Sequence, residues 1–345
     1  MDCQSLPYYL FTSLGESSLK CKLLVALSIF SLGCTPAPSD LNKEYSQRLA
    51  NVLETDAPDI TKPTFNKLPI SPLPASKYKI SVIDLAKLGH CRVATHIASH
   101  NNQLGKLAKP SEVFKYNVNF VRYAQECIKH KDTDSDVREI LTKAHAQKKA
   151  DLPATLAHVF TNEKELTQFL SLTFNEITYD TSNTEIKAQE ALSTLSKLTN
   201  SLNSPHLIEE QSLTTALEKL NNNHYVQSLL TSTKKQIAWN RSSTKWLNQF
   251  SLENTVCPEG KNKNKAKVLN NVFQKYYIQD VQAYQSKLTQ RLHSIEPYFK
   301  TFSQTFGSNT YPNPISPLLK ELKQSAKQHV FWWQRFYKVC KVKPL

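Results

Sequence analysis

The chain has 345 residues, 43 basic against 29 acidic, and a formal net charge of +14. Its six glycines never cluster as phosphate-cradling loops and nucleophile elbows require, where backbone must approach a ligand or take a positive φ. So little glycine, beside long stretches with apolar residues at the helical period, predicts an all-α protein with few tight turns and excludes dinucleotide-binding, P-loop and G-x-S-x-G chemistry.

Lys20 and Lys22 precede an uncharged run from Leu23 to Leu32, which closes at Gly33-Cys34. A basic segment, a short apolar core and a small residue at the cleavage point make a secretory signal. The run is shorter than the roughly 20 apolar residues of a bilayer span. A signal ending in Gly-Cys resembles the lipobox of bacterial lipoproteins, whose cysteine becomes the acylated N-terminus and carries palmitate. Residues 1–33 therefore read as a signal peptide, Cys34 as the lipidation site and residues 34–39 as a tether without helix propensity. Ser31 departs from the Leu that the lipobox favours. Asp2 and Glu16 lie where a signal should be basic, so residues 1–19 read as a misassigned start and the signal as beginning near Leu19. Thr35, in place of the Asp that goes with inner-membrane retention, implies the periplasmic face of the outer membrane.

Removal of residues 1–33 takes away two acids and two lysines, so the remaining 312 residues keep the whole charge of +14. A basic balance suits nucleic acid, but export argues against that partner. Lipopolysaccharide, phospholipid headgroups and peptidoglycan are the anionic substitutes in the envelope. The lysines are dispersed, and the local cluster Lys261-Asn-Lys-Asn-Lys-Ala-Lys267 reads as a solvated loop.

Asp40 is expected to cap a helix running to about Thr55, with Tyr45, Leu49 and Leu53 on one face. Five prolines between residues 56 and 76 predict an extended connector that wraps the surface. Residues 79–99 read as two short helices broken at Gly89. Pro110 suits the first turn of the next helix, whose stripe Val113, Tyr116, Phe120, Tyr123 and Cys127 turns the cysteine to the core. Weaker helical patterns cover 136–149 and 163–174, and Ile177-Thr-Tyr179 is the only β-like scrap. Two polar helices split by Ser204-Pro205 fill 183–222, and the body could divide into two lobes near 180–205. A long helix from Tyr225 to about Phe250 follows. Phe273, Tyr277, Val281, Tyr284, Leu288, Leu292, Ile295, Phe299, Phe302 and Phe306 sustain the helical period for about nine turns, with Pro297 kinking rather than ending the helix. Ser316-Pro317 opens a last helix with Leu319, Leu322, Ala326, Val330, Trp333, Tyr337 and Cys340 on its stripe. These two helices predict a C-terminal antiparallel hairpin on a bundle-like, disulfide-tied helical domain over 40–345.

Once Cys34 is acylated, Cys91, Cys127, Cys257 and Cys340 remain downstream, an even number that reads as two disulfides in an oxidising compartment. Hairpin topology favours Cys91–Cys127 with Cys257–Cys340, because an antiparallel partner returns its far end beside the start of the first arm. Either alternative pairing would bind the N-terminal half to the hairpin. No C-x-x-C pair suggests zinc or redox chemistry.

His96 and His100 share a helical face at i, i+4, but a third ligand and the Glu of H-E-x-x-H are missing, so no metal site is assigned. Asp132-Thr-Asp-Ser-Asp136 opens like a calcium loop, yet Val137 and Lys143 stand where Gly and Glu are needed. Asp136 as a helix cap explains the cluster instead. The aromatic run from Phe331 to Tyr337 offers a candidate partner surface at Trp332, Trp333 and Phe336, set against packing of the same residues in the core. No catalytic residue and no cofactor is assigned.

At His90-Cys-Arg-Val93, His100-Asn-Asn-Gln-Leu-Gly105, Pro110-Ser111 and Cys127 the chain resembles a family of uncharacterised gammaproteobacterial lipoproteins. That family is catalogued as a domain of unknown function, number three thousand and eighty. The helix around Tyr45–Leu53 fits it as well, and the similarity extends over residues 34–345. His100 replaces an expected Arg, and Val93 an expected Leu. The resemblance implies a lipoprotein facing the periplasm and supplies no activity. The expected function is a lipid-anchored, non-enzymatic protein that binds or scaffolds another envelope component. The alternative is an envelope hydrolase or metal-dependent enzyme whose site is assembled from distant residues.

Overall fold

Twelve α-helices and no strand occur among the residues that the computed structural model describes, which are 37–64, 69–101, 108–180 and 182–344. Residues 1–36, where the sequence leads one to expect a signal peptide and lipidation at Cys34, lie outside the described residues.

Helix α1, Asp40–Leu53, buries Tyr45, Leu49 and Leu53 and is stopped by Glu54 in a left-handed conformation. The cap position is Ser39, not Asp40; Asp40 sits in the first turn and accepts the Ala37 N–H at 2.9 Å. Helices α2, Val82–Ala86, and α3, Arg92–His100, flank Gly89 as the sequence predicts. Helix α4, Pro110–Lys129, starts on its proline, and the buried Glu163 carboxylate accepts the Ser111 N–H at 2.8 Å. An anion at that end meets both an orphan donor and the positive pole of the helix.

Helix α5 corrects the sequence reading. It runs from Ser135 to Asn162 in place of a helix over 136–149. Pro153 lies inside it and removes one backbone bond without ending it, because packing against α4 holds both sides. Its cap is Asp134, and Asp136 falls in the first turn. The second expected helix, 163–174, shrinks to α6, Lys164–Thr167, and a 3-10 turn, Gln168–Leu170.

Helices α7, Asn183–Asn200, α8, Ser212–Leu220, and α9, Tyr225–Leu247, follow. The scrap at Ile177 is not a strand. Its backbone is satisfied by side chains instead: Ser232 Oγ accepts from Ile177 N–H at 2.9 Å and Tyr284 O–H donates to its carbonyl at 2.9 Å. Arg291 donates to the carbonyls of Thr178, Tyr179 and Asp180 while pairing with buried Glu185 at 3.1 Å. The connection therefore has its polar groups met without a ladder.

Helix α10, Asn264–Val272, a π-helical stretch Phe273–Val281 and α11, Gln282–Phe306, join end to end as the predicted long helix. The π stretch was not foreseen, although Phe273, Tyr277 and Val281 recur at steps of four, as a wider turn demands. Pro297 lies within α11, which stops at Gly307, a glycine whose φ of 83° side chains disfavour. Helix α12, Ile315–Cys340, packs back against α11 and α9. Disulfides Cys91–Cys127 and Cys257–Cys340 close loops of 36 and 83 residues. The second ties the end of α12 to the loop before α10, so the hairpin is antiparallel.

The face that α12 buries is rotated from the predicted stripe. Leu318, Leu322, Ser325, His329, Trp332, Trp333, Phe336 and Cys340 are inside, whereas Leu319, Ala326, Val330 and Tyr337 are half-buried. The cause is a polar seam through the core. Asn240 donates to Gln285 at 2.9 Å and to Ser325 at 3.1 Å, and Asn42 and Gln236 exchange bonds of 2.8 and 3.1 Å. Three apolar clusters make up the rest of the core. The largest draws on residues either side of 180–205, the second joins α1 to the hairpin end, and the third lies around Cys91–Cys127.

Candidate functional site

The aromatic residues considered as a partner surface go inside. Trp332, Trp333 and Phe336 are 3%, 0% and 0% exposed, and Trp333 stacks on Phe273 at 4.3 Å. Adjacent tryptophans fit one core because α12 lies between α9 and α11 and buries a wide face. The π stretch supplies Phe273 and Tyr277 to that space. Phe331 is the exception in the run, at 60% exposure.

Phe331 stands on an outward ridge of α12. Lys320, Lys323, Lys327, Arg335 and Lys338 are exposed on the same side of the helix. The ridge separates two open grooves. One, of about 790 Å³, runs between α9 and α12 and adds Arg241 and Lys245; the other, of about 850 Å³, lies between α11 and α12. Lys327 and Phe331 border both, and no carboxylate lines either. Arg241 pairs with Glu321 at 2.8 Å. Among the described residues no acid lies within ion-pair distance of Lys245, Lys320, Lys323, Lys327, Arg335 or Lys338. Other exposed cations behave differently: Lys43, Arg48 and Lys143 each meet an acid three or four residues away at 2.6–2.9 Å. The α12 ridge thus gathers five exposed cations on one side of a helix with none of them neutralised by an ion pair. Its chemistry suits an extended anionic surface with some apolar access.

The remaining candidates have structural duties. His96 donates to the Tyr116 carbonyl at 2.9 Å and stacks on that tyrosine ring at 4.5 Å, while His100 stacks on it at 3.7 Å. Burial lowers the pKa of both histidines, as desolvation disfavours the cation. The Asp132–Asp136 segment is built around buried Thr133, which donates to the Cys127 carbonyl at 2.7 Å. Among the described residues the one trio at metal-ligand spacing is His90, Cys91 and Cys127, and its two sulfurs are bonded to each other. The lysine cluster is exposed loop at Lys261 and Lys263 and the first turn of α10 beyond.

Sequence reasoning singled out the aromatic run but missed the ridge. The signal was present as five cations at helical spacing between Lys320 and Lys338, with Glu321 the one acid in that stretch. It was obscured by placing the apolar stripe of α12 one position away from its true centre.

A family model described as a protein of unknown function, DUF3080, matches residues 42–344. The chain belongs to that family. The match spans α2 to α12 and all but the first two residues of α1. Searches of curated proteins and of solved structures find no significant match. No described helix of this DUF3080 chain is long and apolar enough to cross a membrane.

Proposed function

We propose that this DUF3080 protein is a lipid-anchored binding protein of the bacterial envelope, held by Cys34 at the periplasmic face of the outer membrane. Its α12 ridge rests against anionic, phosphate-bearing headgroups. The observation that carries this reading is the carboxylate-free cationic ridge with Phe331 exposed at its centre. A single acyl chain anchors marginally, and a basic patch is a second attachment of the kind that makes membrane binding stable. Each cation near an anionic surface contributes about 1 kcal/mol, and an exposed aromatic can enter the interface.

The test is vesicle flotation of the full chain carrying Cys34→Ala, so that acylation does not contribute. It should float with phosphatidylglycerol-containing vesicles at low salt and not with pure phosphatidylcholine. Combined Lys320→Glu, Lys323→Glu, Lys327→Glu and Arg335→Glu should reduce partitioning by roughly tenfold or more. Equal flotation of the reversed variant, or none by the parent, contradicts the reading.

A further inference from the structure

A second concavity lies on the opposite half of the chain, where α3, α4 and α5 meet the proline-rich connector. Its volume is about 440 Å³, within the range of small-molecule sites. Ile80, Ile97, Phe120 and Leu141 supply an apolar wall, and Lys148 enters from α5. The connector forms one rim and is fixed there. Gln147 accepts from the Lys77 N–H at 3.0 Å and donates to the Ala75 carbonyl at 2.9 Å.

Lys148 is the unusual member. Its Nζ donates to Asn117 Oδ1 at 2.8 Å and lies 5.1 Å from the Tyr116 ring centroid and 5.4 Å from that of Phe120. No carboxylate lines the pocket, and none among the described residues is within ion-pair distance of the ammonium. Asp151, one turn along α5, attracts it at longer range. A partly buried ammonium is normally paired with an acid. Here two aromatic faces and one amide oxygen hold it, and burial lowers its pKa. The cost of that arrangement is relieved when an anion enters.

We propose that this pocket binds an amphiphilic monocarboxylate, with its head on Lys148 and its apolar body along Ile80, Ile97 and Leu141. One embedded ammonium, with Lys79 exposed at the rim, matches one negative charge at the apolar wall. Neither an arginine fork nor a helix N-terminus is present to favour a phosphate over a carboxylate, since α3 turns its C-terminal end, at His100 and Asn101, to the pocket. The inference is independent of the anchor and of the α12 ridge.

Decanoate, below its micelle concentration, is the probe. Calorimetric titration of the full chain bearing Cys34→Ala, with both disulfides formed, should give one saturable site per chain. Lys148→Met should weaken it by roughly tenfold or more, and Lys148→Arg by less. Lys143→Met, at an exposed lysine paired with Glu139, should leave it unchanged, as should reversal of the α12 ridge. Decanol should bind more weakly than decanoate. In case Lys148→Met does not fold, carbon-13 methylation of lysines in the parent chain gives a second reading, in which the Lys148 resonance moves on decanoate addition. Absence of saturable binding, undiminished affinity in folded Lys148→Met, loss on ridge reversal, or an unmoved Lys148 resonance overturns the proposal.

Discussion

His329 shows most clearly how one residue sets the behaviour of the core. It is fully buried on α12, with Nε2 2.8 Å from the Tyr45 hydroxyl and Nδ1 3.1 Å from Thr244 Oγ1. Thr244 already donates to the Asn240 carbonyl at 2.6 Å, so it accepts from Nδ1–H and leaves Nε2 as the acceptor. Trp333 Nε1–H also points at Nε2, from 3.3 Å, and a second proton there would face this donor. Burial pushes the pKa down to about 3. Between about pH 3 and the unfolded value near 6.5, the unfolded chain binds a proton that the native chain refuses, so stability rises with pH across this window and falls on acidification. The expected loss from this group approaches about 1.4 kcal/mol per pH unit below 6.5. Urea midpoints measured from pH 7 to pH 5 should therefore fall less steeply in His329→Gln than in the parent, by about 2 kcal/mol over the interval. Parallel profiles would show that His329 is not held neutral.

At the scale of elements, a sequence periodicity reports a core face well when that face is apolar, and poorly when polar residues are inside it. The long helix through Phe273–Phe306, the Gly89 break and the Pro110 start were legible for this reason. The α12 stripe was misplaced because Ser325 and His329 count as outward residues in any hydropathy pattern, although both belong to the buried seam. Helix α5 was read only over 136–149, and its second half, which holds Pro153, was left unassigned. Its continuity through Pro153 comes from packing against α4, a contact that local pattern does not contain. The cysteine pairing was legible from topology. Opening each disulfide as a Cys→Ala pair releases loop entropy in the unfolded chain. The 36-residue closure should cost about 4 kcal/mol and the 83-residue closure slightly more. Thermal or urea unfolding of Cys91→Ala/Cys127→Ala and Cys257→Ala/Cys340→Ala measures both, and parental stability in either would contradict the estimate.

Across the whole molecule, charge is arranged unevenly. The exposed cations Lys43 and Arg48 of α1 and Lys143 of α5 meet acids on their own helices, while those of α12 meet none. The ridge and the lysine pocket are built from different helices and offer different anion chemistry, one facing an extended surface and one a concavity with a partly buried ammonium. Neither was legible as a site from sequence, because each depends on which faces tertiary packing leaves outside. The anchor, in contrast, was read from sequence alone, at a cysteine beyond the described residues. Metabolic labelling with a fatty-acid probe tests the membrane-anchored account most directly. The wild-type chain should carry the label and Cys34→Ala should not; equal labelling of both chains would contradict the account.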